Sequence, residues 1–331
     1  MAPDPLRLAA AAAPRGLPVV REAVRSVLGR AFGPPAFTLD DGDAGLFGPG
    51  SASWLVLREP AAIVGGIRAL LVQLLHPLAM AGVADHSAFR TDPLGRLRRT
   101  SSYVTATAFG TTDDALAVAR RVREGHVHVR GTAPDGRAYA AEDPHLLRWV
   151  SIALTSSFLA AYRTYAPRTL SAADADRFVA EQSRAAALLD PRVDLDALSA
   201  DPRARSSLVD GTLPLPQVDD GTLPTDADGL AQTLGRYRGE LSVGEQGREA
   251  VRFLRRPPIG ALRAGYTPLF RAAVAALEPY QRDLLGFGGA TAAVRLDEAR
   301  GRALLSGLRL AVGTSPAAEA AEARARAAAA A

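Results

Sequence analysis

The segment EPAAIVGGIRALLVQLLHPLAMAGVADHSAF, residues 59–89, decides the fold. Ile63, Ile67, Leu70, Leu71, Leu74, Leu75 and Leu78 recur at helical spacing and cover much of the circumference, so this helix belongs inside the protein. Gly65, Ala69, Val72, Gln73 and His76 form a second stripe of small or polar residues, which permits close approach of another backbone or of a flat ligand. Pro60 suits a first helical turn, where its missing N–H is harmless. Pro77 kinks or ends the helix and frees a backbone carbonyl, and the simplest role for His76 is to hydrogen-bond that carbonyl.

Downstream, DPLGRLRRTSSY at 92–103 starts a helix with Asp92 as cap and Pro93 at the first position. It places Arg96, Arg99 and Thr100 on one face. A helix over about 113–129 follows, ending REGHVHVRG. Ala115, Val118, Ala119, Val122 and His126 share its inner face, whereas His128 points outward. Gly125 beside His126 costs about 1 kcal/mol of helix stability relative to Ala, and removes a side chain that would obstruct a large planar ligand. Four of the five histidines, His76, His86, His126 and His128, lie between residues 59 and 131, and His145 follows closely. Such a concentration of metal-ligating, near-neutral side chains is what an active centre requires.

Outward from this stretch the chain reads as helices throughout, an all-α fold. A helix is expected over 20–32, a short extended piece over 53–59, a turn at Pro134–Gly136, and long helices from Asp143 and from Ser171. Residues 190–228, rich in Asp, Pro and Gly with DGTLP at 210–214 and again at 220–224, are expected to be an irregular insertion. Helices resume over 228–241, 247–254, 268–277, 279–285 and 295–310. The domain is bounded as a flexible N-terminus over 1–16, one helical domain over 17–312, and an Ala-rich tail over 313–331.

Composition excludes several chemistries. There is no Cys, so disulfides, thiolate metal sites, iron–sulfur clusters and covalent c-type haem are absent. Any metal must rest on His or carboxylate. The net charge is +4 and the pI about 9.8. All 39 basic residues are Arg, spread among 35 acids along the helices, so nucleic acid is not an expected partner. No run reaches the ~18 apolar residues of a membrane-spanning helix, and MAPDPLRLAAAAAPRGLPVV lacks the continuous apolar core and twin-Arg pair expected of an export signal. A cytoplasmic location is the corresponding expectation.

The segments LFGPGSASW (46–54), GGIRALLVQLLHPLAMAGVADHSAF (65–89), DPLGRLRRTSSY, HVHVRGTAPDGRAYAAEDPHLLRWV (126–150) and LPTDADGLAQTLGRY (223–237) together resemble a known family. It is the catalytic domain shared by rubber oxygenases (latex-clearing proteins) and oxygenases of the mycophenolic-acid pathway. The resemblance implies an all-α fold around noncovalent haem b, with dioxygen as co-substrate, an apolar isoprenoid or polyketide alkene as substrate, and an external electron donor as a candidate partner. It assigns His126 as the axial ligand to iron and Arg96, Arg99 and Thr100 to the distal side, with Gly125, Gln73 and His76 along the haem site. Two positions depart from the pattern. Latex-clearing proteins resemble this chain with a Lys, which can ligate iron, where Arg99 stands. Arg stays protonated and cannot ligate, but it can donate charge-assisted hydrogen bonds to bound oxygen. Ser151 in WVS replaces a family histidine. No carboxylate is singled out as a base; Glu59 and Asp92 are near only in sequence. Rival readings are a non-haem metalloenzyme built on His126, His128 and His76 or His86, and a non-catalytic helical carrier of haem or lipid. The His126/His128 pair disfavours the first, because residues two apart do not share a helix face.

Overall fold

The computed structural model describes residues 42–260 and 262–330. The expected loose N-terminus over 1–16 and helix over 20–32 lie outside the described residues. Sixteen α-helices and one two-stranded ribbon make up the described chain, an all-α protein. The first helices, α1 (Ala52–Leu57), α2 (Ala61–Gln73), α3 (Pro77–His86), α4 (Pro93–Phe109) and α5 (Thr112–Val127), precede the ribbon. The ribbon pairs β1 (Arg130–Thr132) antiparallel with β2 (Ala138–Ala140). Then come α6 (Pro144–Tyr165), α7 (Ala172–Ala187), α8 (Leu195–Ala200), α9 (Pro202–Asp210) and α10 (Pro216–Asp219). The last are α11 (Ala227–Tyr237), α12 (Glu245–Arg255), α13 (Leu262–Ala275), α14 (Pro279–Leu284), α15 (Thr291–Val312) and α16 (Pro316–Ala330).

The spine is α2 packed along α6. The small stripe on α2 serves that contact: a Cβ built on Gly65 would fall 3.0 Å from the Cα of Phe158 on α6. Close approach is therefore by a protein backbone at this position. Around the spine, Trp54, Leu71, Leu75, Trp149, Ile152, Phe158, Phe178 and Tyr237 form the main core. The α2–α3 junction bends by 103°. Its cause is Pro77, which has no N–H to offer the Gln73 carbonyl; that carbonyl accepts instead from the indole Nε1 of Trp149, at 3.3 Å, and from the His76 backbone N–H, at 3.4 Å. Trp149, and not the His76 ring, satisfies the freed group. His76 adopts the extended conformation favoured before proline (φ −92°, ψ 116°) and caps α3.

Several local expectations change. The piece at 53–59 is helical, because Ser51 Oγ accepts the Trp54 N–H at 3.1 Å and caps α1. The turn at 134–136 closes the β1–β2 hairpin, with Gly136 at φ 84°. The stretch 190–228 folds into α8, α9 and α10, capped by Asp194 and Asp201 and opened by Pro202 and Pro216. Its Leu195, Leu198, Leu208, Leu215 and Leu223 bury against Leu116 and Ala119 of α5 in a second core. The Ala-rich tail is helix α16; its buried Arg324 donates to the carbonyls of Asp43, at 3.0 Å, and of Phe109, at 2.6 Å. No single described helix is long and apolar enough to cross a membrane.

Candidate functional site

The histidines gather in two places. The first forms where α2 breaks, α6 begins and the chain leaves α11. The His76 ring is fully buried, with ring centroids of Trp149 at 5.8 Å, His145 at 5.9 Å and Tyr237 at 6.1 Å. Its Nε2 lies 3.4 Å from Glu240 Oε2, and its Nδ1 has no partner among the described residues. Burial pushes the His76 pKa down despite the pull of Glu240. His145, in the first turn of α6, approaches the same Glu240 oxygen with Nε2 at 2.7 Å. Arg148 Nη2 sits 3.1 Å from His145 Nδ1. Since Arg only donates, Nδ1 accepts and the neutral ring carries its proton on Nε2, directed at Glu240. Arg148 Nε also donates to Tyr237 Oη at 2.9 Å, and that hydroxyl donates to the His145 carbonyl at 2.8 Å. Burial raises the Glu240 carboxyl, but the hydrogen bonds and charges of His145 and His76 hold it below its usual range.

The second lies at the open end of the α4–α5 helix hairpin, which holds the start of α4 and the last turn of α5. His126 is half-buried in the last turn of α5, its imidazole without a partner among the described residues. Burial lowers its pKa, with Glu142 opposing, so the ring is neutral with a nitrogen lone pair to give. A Cβ on Gly125 would meet nothing within 4 Å. Arg96 Nη1 donates to Ser87 Oγ at 2.6 Å, and burial together with the like charge of Arg99 pushes its pKa down to about 10. Arg99 is exposed, 3.7 Å from Asp92 Oδ2. Thr100 Oγ1 donates to the Arg96 carbonyl at 3.2 Å, and so does not project a free donor. His128 is exposed, as its outward register requires.

The expected site residues therefore divide. Arg96, Arg99 and Thr100 lie in the first turns of α4, and Gly125 and His126 lie in the last turn of α5, with no hydrogen bond or ion pair joining the two sets among the described residues; Gln73 and His76 sit at the far end of α3. The ten rises from His76 to His86 amount to about 15 Å, and His86 Nε2 bonds the Arg130 carbonyl of β1 at 3.2 Å. The two groups do not form one cluster of contacts. Ser151 donates to the Leu147 carbonyl of its own helix at 2.9 Å, and takes no part in either group. Glu240, Arg148 and Tyr237 escape sequence reasoning altogether. Glu240 lies 95 residues from His145 and 164 from His76, so no spacing announces it. A recess of about 270 Å³ between α13 and α15, lined by Thr267, Pro268, Arg271, Asp297 and Arg300, shares no lining residue with either group.

An all-α protein with imidazole donors set beside arginines and carboxylates is equipped for metal-assisted chemistry on a small molecule. Residues 54–310 match the family described as ER-bound oxygenase mpaB/B'/Rubber oxygenase, catalytic domain, and the chain belongs to that family. Membership makes it an oxidoreductase of the oxygenase kind with a small-molecule substrate. Comparison with curated proteins and with solved structures yields no match.

Proposed function

We propose that this protein is a haem-b-dependent oxygenase that uses dioxygen on an apolar small molecule, oxidising or cleaving a carbon–carbon double bond. His126 carries the reading. It is a half-buried imidazole held neutral by desolvation, with neither ring nitrogen engaged and the adjoining Gly125 exposed to solvent. That is the donor chemistry an axial ligand needs, and the residues fit the group on that ground. Haem bound there would supply oxygen binding and activation. Arg96, fixed by Ser87 and half-buried, is the donor best placed to hold a polar or anionic oxygen species by charge-assisted hydrogen bonds. Arg99, tethered loosely by Asp92 and exposed, serves as a second cation near the opening. Thr100 positions the α4 backbone through its bond to the Arg96 carbonyl, and donates outward only if that bond is released.

The test is spectroscopic. Protein reconstituted with haem should show a Soret band that shifts on reduction and on addition of carbon monoxide, and His126→Ala should lose it. A His126→Ala protein that retains full haem, or a wild type that never acquires a Soret band, overturns the reading.

A further inference from the structure

We propose that His76, His145 and Glu240 form a second metal site, separate from the haem position, that binds a divalent transition-metal cation of the zinc class. The three ligand atoms all lie within 4.8 Å of one another. Four-coordinate zinc with bonds of about 2.0–2.1 Å sets its ligand atoms about 3.3 Å apart. The His76–Glu240 separation of 3.4 Å already fits, and the His145–Glu240 contact of 2.7 Å needs to open by about 0.6 Å. Two imidazoles and one carboxylate are the donor set that leaves a fourth position free. Access follows from burial: His76 is wholly enclosed, but the side chains of His145 and Glu240 are 39% and 38% exposed, so a cation enters from their side.

The independent observation is the state of His76. A fully buried imidazole whose Nε2 has only a long contact is under-satisfied at that nitrogen, and such a group calls for an explanation. A cation on Nε2 replaces that weak contact with a coordinate bond. The surroundings of His145 accommodate the change. Coordination through Nε2 moves the ring proton to Nδ1, so Arg148 Nη2, which donates to that nitrogen in the metal-free ring, turns away. Tyr237 Oη, 3.4 Å from the same nitrogen, can accept that proton, while Arg148 keeps its Nε bond to the hydroxyl. Orientation of a metal-bound histidine through its second nitrogen is the usual supporting arrangement.

The experiment titrates cobalt(II) into the untagged, haem-reconstituted full chain. Visible d–d absorption follows binding, and elemental analysis after desalting gives the stoichiometry. One cobalt per chain is expected, displaced by zinc, with affinity reduced at least tenfold by Glu240→Gln and by His145→Gln, both at partly exposed side chains. The Soret band should be unchanged in both variants, which separates this proposal from the haem reading. Zinc should also raise the thermal unfolding midpoint of the wild type, a readout that needs no variant. Equal cobalt affinity in wild type and both variants, or no stoichiometric cobalt in the wild type, overturns the proposal. Loss of the Soret band together with cobalt binding also overturns it, since the cluster would then belong to the haem.

Discussion

Gly65 and Gly66 are neighbours in the same turn of α2, yet Ala should act in opposite directions at the two positions. Replacing a helix-interior Gly by Ala gains about 0.8–1.0 kcal/mol of helix propensity at either site. At Gly66 a Cβ meets nothing within 4 Å, so that gain should appear nearly whole. At Gly65 the new methyl lies 2.6 Å from Cδ1 of Phe158 and 3.0 Å from its Cα. The ring can turn aside, but the Cα belongs to the middle of α6, so the two helices must part. Overpacking of this kind costs about 1–3 kcal/mol. Net destabilisation of about 0–2 kcal/mol follows for Gly65→Ala, against stabilisation of up to about 1 kcal/mol for Gly66→Ala. The difference between the two variants cancels propensity and isolates the α2–α6 contact. Urea unfolding followed by far-ultraviolet circular dichroism measures it, at unchanged m-value. Equal midpoints for the two variants would refute the claim that the small stripe exists to admit the α6 backbone.

Two further substitutions test the polar interior. Arg68 is buried, with Nε on the Ala276 carbonyl at 2.9 Å, Nη1 on Ser157 Oγ at 2.8 Å and Nη2 on Gln281 Oε1 at 3.1 Å. Burial pushes its pKa down to about 10, so it is still charged at neutral pH. Arg68→Met keeps apolar volume and relieves the buried charge but strands those acceptors, and a loss of about 1–3 kcal/mol is expected in urea unfolding. Tyr139 Oη donates to Asp85 Oδ2 at 2.6 Å, and burial together with that bond pushes the phenol up to about 12. An acid whose folded pKa is raised contributes stability fully below its unfolded value near 10 and loses it as the pH climbs through about 12. Unfolding midpoints measured across that window should fall more steeply for the wild type than for Tyr139→Phe, and parallel curves would count against the bond.

How much of this was legible in the sequence depends on whether a feature is local. The start of α4 at Asp92–Pro93 and the start of α6 at Asp143 follow from caps, the burial of Ala115, Val118 and Ala119 on one face of α5 follows from the 3.6-residue period, and all were readable. Local signals misled where they carry two meanings. Asp, Pro and Gly mark irregular chain, but Asp194, Asp201, Pro202 and Pro216 are helix caps and first-turn residues, so 190–228 is helical where irregularity was expected. Strands of only three residues, β1 and β2, are too short for alternation to register. Tertiary facts left no trace. The stripe of Gly65 and Ala69 announces a close neighbour but not which one; α6 is that neighbour because Phe158 meets Gly65. Once α6 lies there, Trp149 falls against the carbonyl that Pro77 frees, and His145, one turn earlier, falls beside His76. Glu240 then joins them because Ser242 N–H, two residues on, donates to the Leu75 carbonyl at 2.8 Å and ties that segment to the α2–α3 break. The His76–His145–Glu240 group is thus a consequence of one proline and one glycine acting through packing, which is why no spacing along the chain could have disclosed it.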